Sequence, residues 1–144
     1  MTATFRQPAM AQPFPLASGT SLDVTLGIEY EEVTAERVVA TMQVGPTVHQ
    51  PLGYLHGGAS IVLAESAASV GANVAAMPER FAFGQEVNAS HLRPKREGTL
   101  RATATAIRQG RTSAVWNVDV NDENGKRICV CRITLALVEA KSRL

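Results

Sequence analysis

The run Ala59-Ser60-Ile61-Val62-Leu63-Ala64-Glu65-Ser66-Ala67-Ala68-Ser69-Val70-Gly71-Ala72-Asn73-Val74-Ala75-Ala76 decides the architecture of this chain. It is rich in alanine and meets no proline before Pro78, which predicts one long helix. A helix on a protein surface carries a polar face. This one is apolar almost all round, as a helix is when other structure encloses it on most sides. Its many small side chains would let neighbouring backbone come close.

Upstream, Pro46, Pro51 and Gly53 break any regular structure between Gly45 and Leu55, and this loop ends in His56-Gly57-Gly58 immediately before the helix. Before the loop, Arg37–Val44 puts Val38, Ala40, Met42 and Val44 on one face, and in Gly27–Val33 Ile28 and Tyr30 alternate with Glu29 and Glu31. With a turn through Thr34–Glu36 these two segments read as a hairpin. Downstream, four more strands are expected: Phe83–Arg93, Gly98–Gln109, Arg111–Asp122 and Lys126–Val138. Gln109-Gly110 and Asn124-Gly125 supply two of the turns. Six strands and one segregated helix predict an α+β domain with a largely antiparallel sheet. A sheet that wraps the helix accounts for the helix being so apolar.

Residues 1–20, proline-containing and without a periodic pattern, read as a flexible lead-in in which Leu16–Val24 could form a short helix. The domain itself is read as 21–139, and 140–144 as a polar tail. A chain of 144 residues, 45% apolar, fits one domain with a real core. Fourteen Lys and Arg against 13 Asp and Glu leave a net charge of +1, which offers no general field for a nucleic acid or an anionic membrane. The N-terminus lacks the pattern of a secretory signal, and no apolar stretch is read as long enough to cross a bilayer, so the expected setting is cytoplasmic. Cys129 and Cys131, one residue apart, read as two small apolar side chains on one strand face rather than a disulfide or a zinc site, and no metal is expected.

The chemistry concentrates between Gln50 and Ser69. Two glycines at the start of a helix place unobstructed backbone N–H groups at its positive end, where they can donate to an oxygen gaining negative charge. Glu65, about two turns further on, is the only charge in the helix. A lone carboxylate among Ala, Leu and Val is costly to bury unless it has a partner or a task.

The segments Gln50-Pro51-Leu52-Gly53-Tyr54-Leu55-His56-Gly57-Gly58-Ala59-Ser60 and Leu63-Ala64-Glu65-Ser66 resemble the signature of the hotdog-fold thioesterases of the phenylacetate-pathway and 4-hydroxybenzoyl-CoA thioesterase group. They are closest to the branch with glutamate on the central helix, which includes 1,4-dihydroxy-2-naphthoyl-CoA thioesterases. The likeness continues through Gly84, Glu86-Val87-Asn88, His91-Leu92-Arg93 and Arg96-Glu97-Gly98, and covers about residues 26–138. It implies a hotdog fold, a six-stranded antiparallel sheet wrapped around one long central helix. It further implies sheets joined edge to edge in a homodimer, dimers paired into tetramers in some members, and active sites at the subunit interface.

Carried over residue by residue, the resemblance makes Glu65 the nucleophile or the general base for water. The Gly57 N–H polarises the thioester carbonyl, Gln50 and His56 assist around the carbonyl and the leaving thiolate, and Ser69 holds the water or the carboxylate. Contacts to the acyl-CoA fall to Gly84, Asn88, His91, Arg93, Arg111, Thr112 and Ser113, with Arg93, Lys95 and Arg96 forming a basic patch suited to phosphate oxygens. No cofactor is implied, because coenzyme A is part of the substrate. The activity so implied is hydrolysis of an aromatic or medium-chain acyl-CoA. The alternatives are a non-catalytic acyl-CoA-binding module and a hotdog hydratase or dehydratase.

Overall fold

The computed structural model describes residues 13–142. Most of the expected flexible lead-in therefore lies outside the described residues, as do the last two residues of the tail. Within the lead-in, residues 13–20 form no helix or strand, yet Phe14 is half-buried against the core. A short helix α1 spans Leu22–Thr25 rather than Leu16–Val24. The chain first turns at Gly19, whose N–H reaches Leu16 O and whose φ is +71°, and Ser21 then caps the helix by accepting from the Val24 N–H.

The strands are β1 (Glu29–Val33), β2 (Arg37–Val44), β3 (Arg80–His91), β4 (Gly98–Gln109), β5 (Ser113–Asp122) and β6 (Arg127–Glu139), and the long helix α2 is Gly57–Ala76. They form one sheet in the order β1-β2-β4-β5-β6-β3, with every neighbouring pair antiparallel. This is the hotdog fold. β3 starts three residues earlier than the alternation suggested, because Arg80, Phe81 and Ala82 pair with Glu139, Val138 and Leu137. It also stops at His91, two residues short of Arg93. β5 begins at Ser113, so Arg111 and Thr112 belong to the turn. Gly57 and Gly58 are the first two residues of α2, not the two before it.

The inner face of the sheet supplies Val38, Ala40 and Met42, Leu100, Ala102 and Ala104, Trp116, Val118 and Val120, and Cys129, Ile133 and Leu135, all essentially inaccessible to solvent. These close on Leu63, Ala64, Ala67, Ala68 and Ala72 of α2. The fit is tight enough that a β-carbon on Gly71 would stand 2.3 Å from the Trp116 ring. Trp116 Nε1–H donates to Gln109, and the Gln109 amide donates to Ala72 O at 3.2 Å, which ties the sheet to the back of the helix. Cys129 and Cys131 are free buried thiols on this face, their sulfurs 3.6 Å apart.

One expectation needs correction. By length and composition an 18-residue window of α2 is itself apolar enough to cross a bilayer. The sheet enclosing it accounts for that composition, since half of that window is buried inside the fold.

Candidate active site

The loop before α2 is built to deliver the helix start in a defined orientation. Gln50 and Tyr54 close a tight turn through Gln50 N–H to Tyr54 O at 2.7 Å, and Gly53 sits in it at φ +81°, a conformation side chains disfavour. The Gln50 side-chain oxygen accepts from the Leu52 and Tyr54 N–H groups, which leaves its amide NH2 for a ligand. His56 is anchored by its own N–H to Val48 O at 2.8 Å and serves as the N-cap of α2. Its Nδ1 accepts the Gly58 N–H at 2.8 Å, so a neutral ring carries its proton on Nε2. The Ala59 N–H turns back to His56 O at 2.9 Å. Among the described residues no acceptor meets the Gly57 N–H, and it stands ready for an incoming oxygen.

Gly57 is a glycine for reasons of space. A β-carbon there would stand 2.7 Å from Nε2 of His91, whose ring lies over it from the end of β3. Gln50, Tyr54, Gly57, Ser60, His91 and Arg93 share a cavity of about 450 Å³ at this end of the sheet. His91, expected as a substrate contact, thus packs against Gly57 and lines the same cavity.

Glu65 lies half-buried on another face of α2, with its carboxylate resting on Gly84 of β3. A β-carbon at Gly84 would be only 2.0 Å from the Glu65 oxygen, so the missing side chain makes room for the carboxylate. Glu65 and Ser69 line a second cavity, of about 390 Å³, together with Asp23, Ser66, Asn73 and the apolar side chains of Phe14 and Leu22. Two neighbours that the sequence reading passed over organise it. Asn73 donates to Ser69 O and Ala82 O and accepts the Ala82 N–H, which clamps β3 to the helix two residues from Gly84. Asp23 accepts the Tyr30 and Ser66 hydroxyls, each at 2.6 Å. Burial first, and then the Asp23 hydrogen bond, push the Tyr30 hydroxyl far above its ordinary range, so it stays a donor.

Gly57 and Glu65 therefore do not meet in one chain. Eight residues of helix separate them by about 12 Å along the axis and about 80° around it, and their two cavities share no lining residue. The expected CoA contacts divide the same way. Arg93 borders the Gly57 cavity and donates to Arg127 O, while Arg111 and Thr112 occupy the β4–β5 turn and Ser113 opens β5. β6 runs from Cys129, opposite His91, to Ala136, opposite Ser113, a separation of about 23 Å at strand spacing. Asn88 is exposed on the open edge of β3 between the two ends. Within the basic patch, only Arg93 has no bond to another side chain among the described residues. Lys95 is bound to Glu123 at 2.7 Å, and Arg96 stacks on Tyr54 and donates to its hydroxyl.

A hotdog sheet with a bare amide at the helix start and one carboxylate further along that helix defines a class of thioester-cleaving enzymes. The comparisons agree: the thioesterase superfamily model matches residues 52–129, from the turn before α2 into β6. The chain is similar to the 1,4-dihydroxy-2-naphthoyl-CoA hydrolase of Listeria monocytogenes, 46% identical over 81% of this chain and 94% of the relative. It is also similar to the 1,4-dihydroxy-2-naphthoyl-CoA hydrolase of Escherichia coli, 39% identical over 78% and 83%. Among solved structures, a Haemophilus influenzae thioesterase superposes with a TM-score of 0.81 at 35% identity, over 91% of this chain and 95% of the other. This chain belongs to the thioesterase superfamily and is a thioester hydrolase.

Proposed function

We propose that this enzyme hydrolyses the CoA thioester of an aromatic or medium-chain acyl group to the free acid and CoA, with Glu65 and the Gly57 N–H as the principal groups. The observation that carries the mechanism is the Gly57 N–H, unpartnered among the described residues, at the start of an otherwise capped helix. There the helix dipole and the bare donor both favour an oxygen that becomes negative. Two relatives named as 1,4-dihydroxy-2-naphthoyl-CoA hydrolases favour a bulky aromatic acyl group.

The site is completed between two copies. β3 is a long edge strand with open backbone groups on its outer side. Antiparallel pairing of two such edges about Val87 and Asn88 brings the Gly57 end of one copy to the Glu65 end of the other. It also moves Arg93 of one copy towards Thr112 and Ser113 of the other, where together they can hold the CoA phosphates. The carbonyl oxygen takes the Gly57 N–H, and the acyl carbon then faces Glu65. Glu65 either attacks that carbon, giving an anhydride that water opens, or takes a proton from a water that attacks instead. In both routes the C–S bond breaks, and the departing thiolate is met by the Gln50 amide and the His56 Nε2–H. Ser69, one turn beyond Glu65, holds the water or the carboxylate. A thioester carbonyl is electrophilic enough that these groups suffice without a cofactor. Free thiols at Cys129 and Cys131 suit a reducing, cytoplasmic setting.

The test is thiol release from a panel running from acetyl- to palmitoyl-CoA, with benzoyl-, 4-hydroxybenzoyl-, phenylacetyl- and 1,4-dihydroxy-2-naphthoyl-CoA added. Release is expected with an aromatic or medium-chain member and is nearly abolished in Glu65→Gln, while melting temperature and CoA binding persist. A Glu65→Gln enzyme that keeps most of its turnover would refute the assignment. Turnover in heavy-oxygen water tests for the anhydride route, because the isotope enters the Glu65 carboxylate only when water opens an anhydride at the Glu65 carbonyl.

A further inference from the structure

The Ser60 hydroxyl has no part in the roles assigned above, and its situation is unusual. Ser60 is 1% exposed, and its Oγ is buried without a hydrogen-bond partner among the described residues. A serine inside a helix has a ready outlet in the carbonyl four residues back, here His56 O. The side chain does not take it, although leaving a buried hydroxyl unsatisfied is unfavourable. Such a group is expected to have a partner that comes and goes.

We propose that Ser60 is a catalytic residue, its hydroxyl giving the thioester oxygen a second hydrogen bond beside the Gly57 N–H. The inference rests on the acyl-CoA hydrolysis proposed above and adds a residue to it. Three observations place the hydroxyl there. Ser60 and Gly57 are three residues apart on one helix face, and both line the same cavity. Side chains on a helix lean toward its N-terminus, which is the direction of the bare N–H from Ser60. The other first-turn donors are occupied, because the His56 ring holds the Gly58 N–H and His56 O holds the Ala59 N–H. The backbone therefore supplies this oxygen with a single donor, whereas an oxyanion gains from two or more. The buried hydroxyl is positioned to be the second.

Ser60→Ala separates this role from a structural one. Removing an unsatisfied buried hydroxyl should leave the melting temperature unchanged or raise it. The kcat should fall about 100-fold, the loss typical of one oxyanion donor, with KM nearly constant. Ser60→Thr, which keeps the hydroxyl, should retain most of the activity, and Ser60→Cys, a weak donor of similar shape, should fall between. Wild-type kcat in Ser60→Ala overturns the proposal, as does a loss confined to KM or one that tracks a drop in melting temperature across all three variants. A wild-type enzyme that releases no thiol from any acyl-CoA removes the parent mechanism itself, whereas an active wild type with an equally active Ser60→Ala removes only the role of Ser60.

Discussion

Gly84→Ala tests the position of the Glu65 carboxylate without altering the carboxylate. A β-carbon at Gly84 would lie 2.0 Å from the Glu65 oxygen, and ordinary contact begins at 3.4 Å, so the oxygen must retreat by about 1.4 Å. Gly84 has no positive φ, and the atom it displaces is the end of a flexible side chain, so the fold yields easily. Stability should change by less than about 1 kcal/mol, and reduced freedom of the unfolded chain can even raise it slightly. Activity should respond very differently, because a misplacement of about 1 Å in a reacting group can cost about 100-fold. Thiol release and thermal melting of the same preparation make the comparison. In the Glu65→Gln background the alanine should cost nothing further, since there is no longer a working carboxylate to displace. A Gly84→Ala enzyme that melts like wild type and keeps a third or more of its kcat would show that the carboxylate does not work from its place over Gly84.

Asn73→Ala removes two hydrogen bonds between α2 and the start of β3 and a third within α2, to Ser69 O. It should lower stability by about 1–3 kcal/mol, measured by denaturant titration, and should reduce kcat as Gly84 and Glu65 lose register. Glu123 gives a pH signature. Its hydrogen bond from Lys95, supported by backbone donors, holds the carboxyl at about 2 against an ordinary 4.5. A carboxyl depressed by folding contributes stability above its unfolded value and loses it as pH falls through the folded one. The melting-temperature gap between wild type and Glu123→Gln should therefore be present above pH 4.5 and close toward pH 2. Because Glu123 is exposed, that gap should be small and shrink further in high salt.

The helix was legible because eighteen residues without proline or charge clusters leave little else to form. The strands were legible wherever apolar and polar residues alternate, as in Ala114 to Asn121. The start of β3 was not, because Arg80 and Phe81 follow Pro78 and Glu79 and look like the end of a turn. Of the site, the glycine pair and the solitary Glu65 stood out in the chain itself. Asn73 had a usable signal, an amide one turn after Ser69 on a helix otherwise short of polar groups. The Asp23–Ser66 bond joins positions 43 residues apart and has no local signature. That Gly57 and Glu65 line two separate cavities was not legible in the motif itself, because both stand on one helix and only the sheet around it decides which face each meets.

The close fit of Gly71 against Trp116 has an evolutionary consequence. A centre filled by alanine and glycine leaves no room to hollow out or enlarge a substrate chamber without breaking the sheet's grip on its helix. Novelty in substrate choice must then arise at the margins, in half-exposed positions such as Phe14 and Leu22, where replacements are tolerated. A fold so arranged can drift from one acyl group to another while its interior stays still.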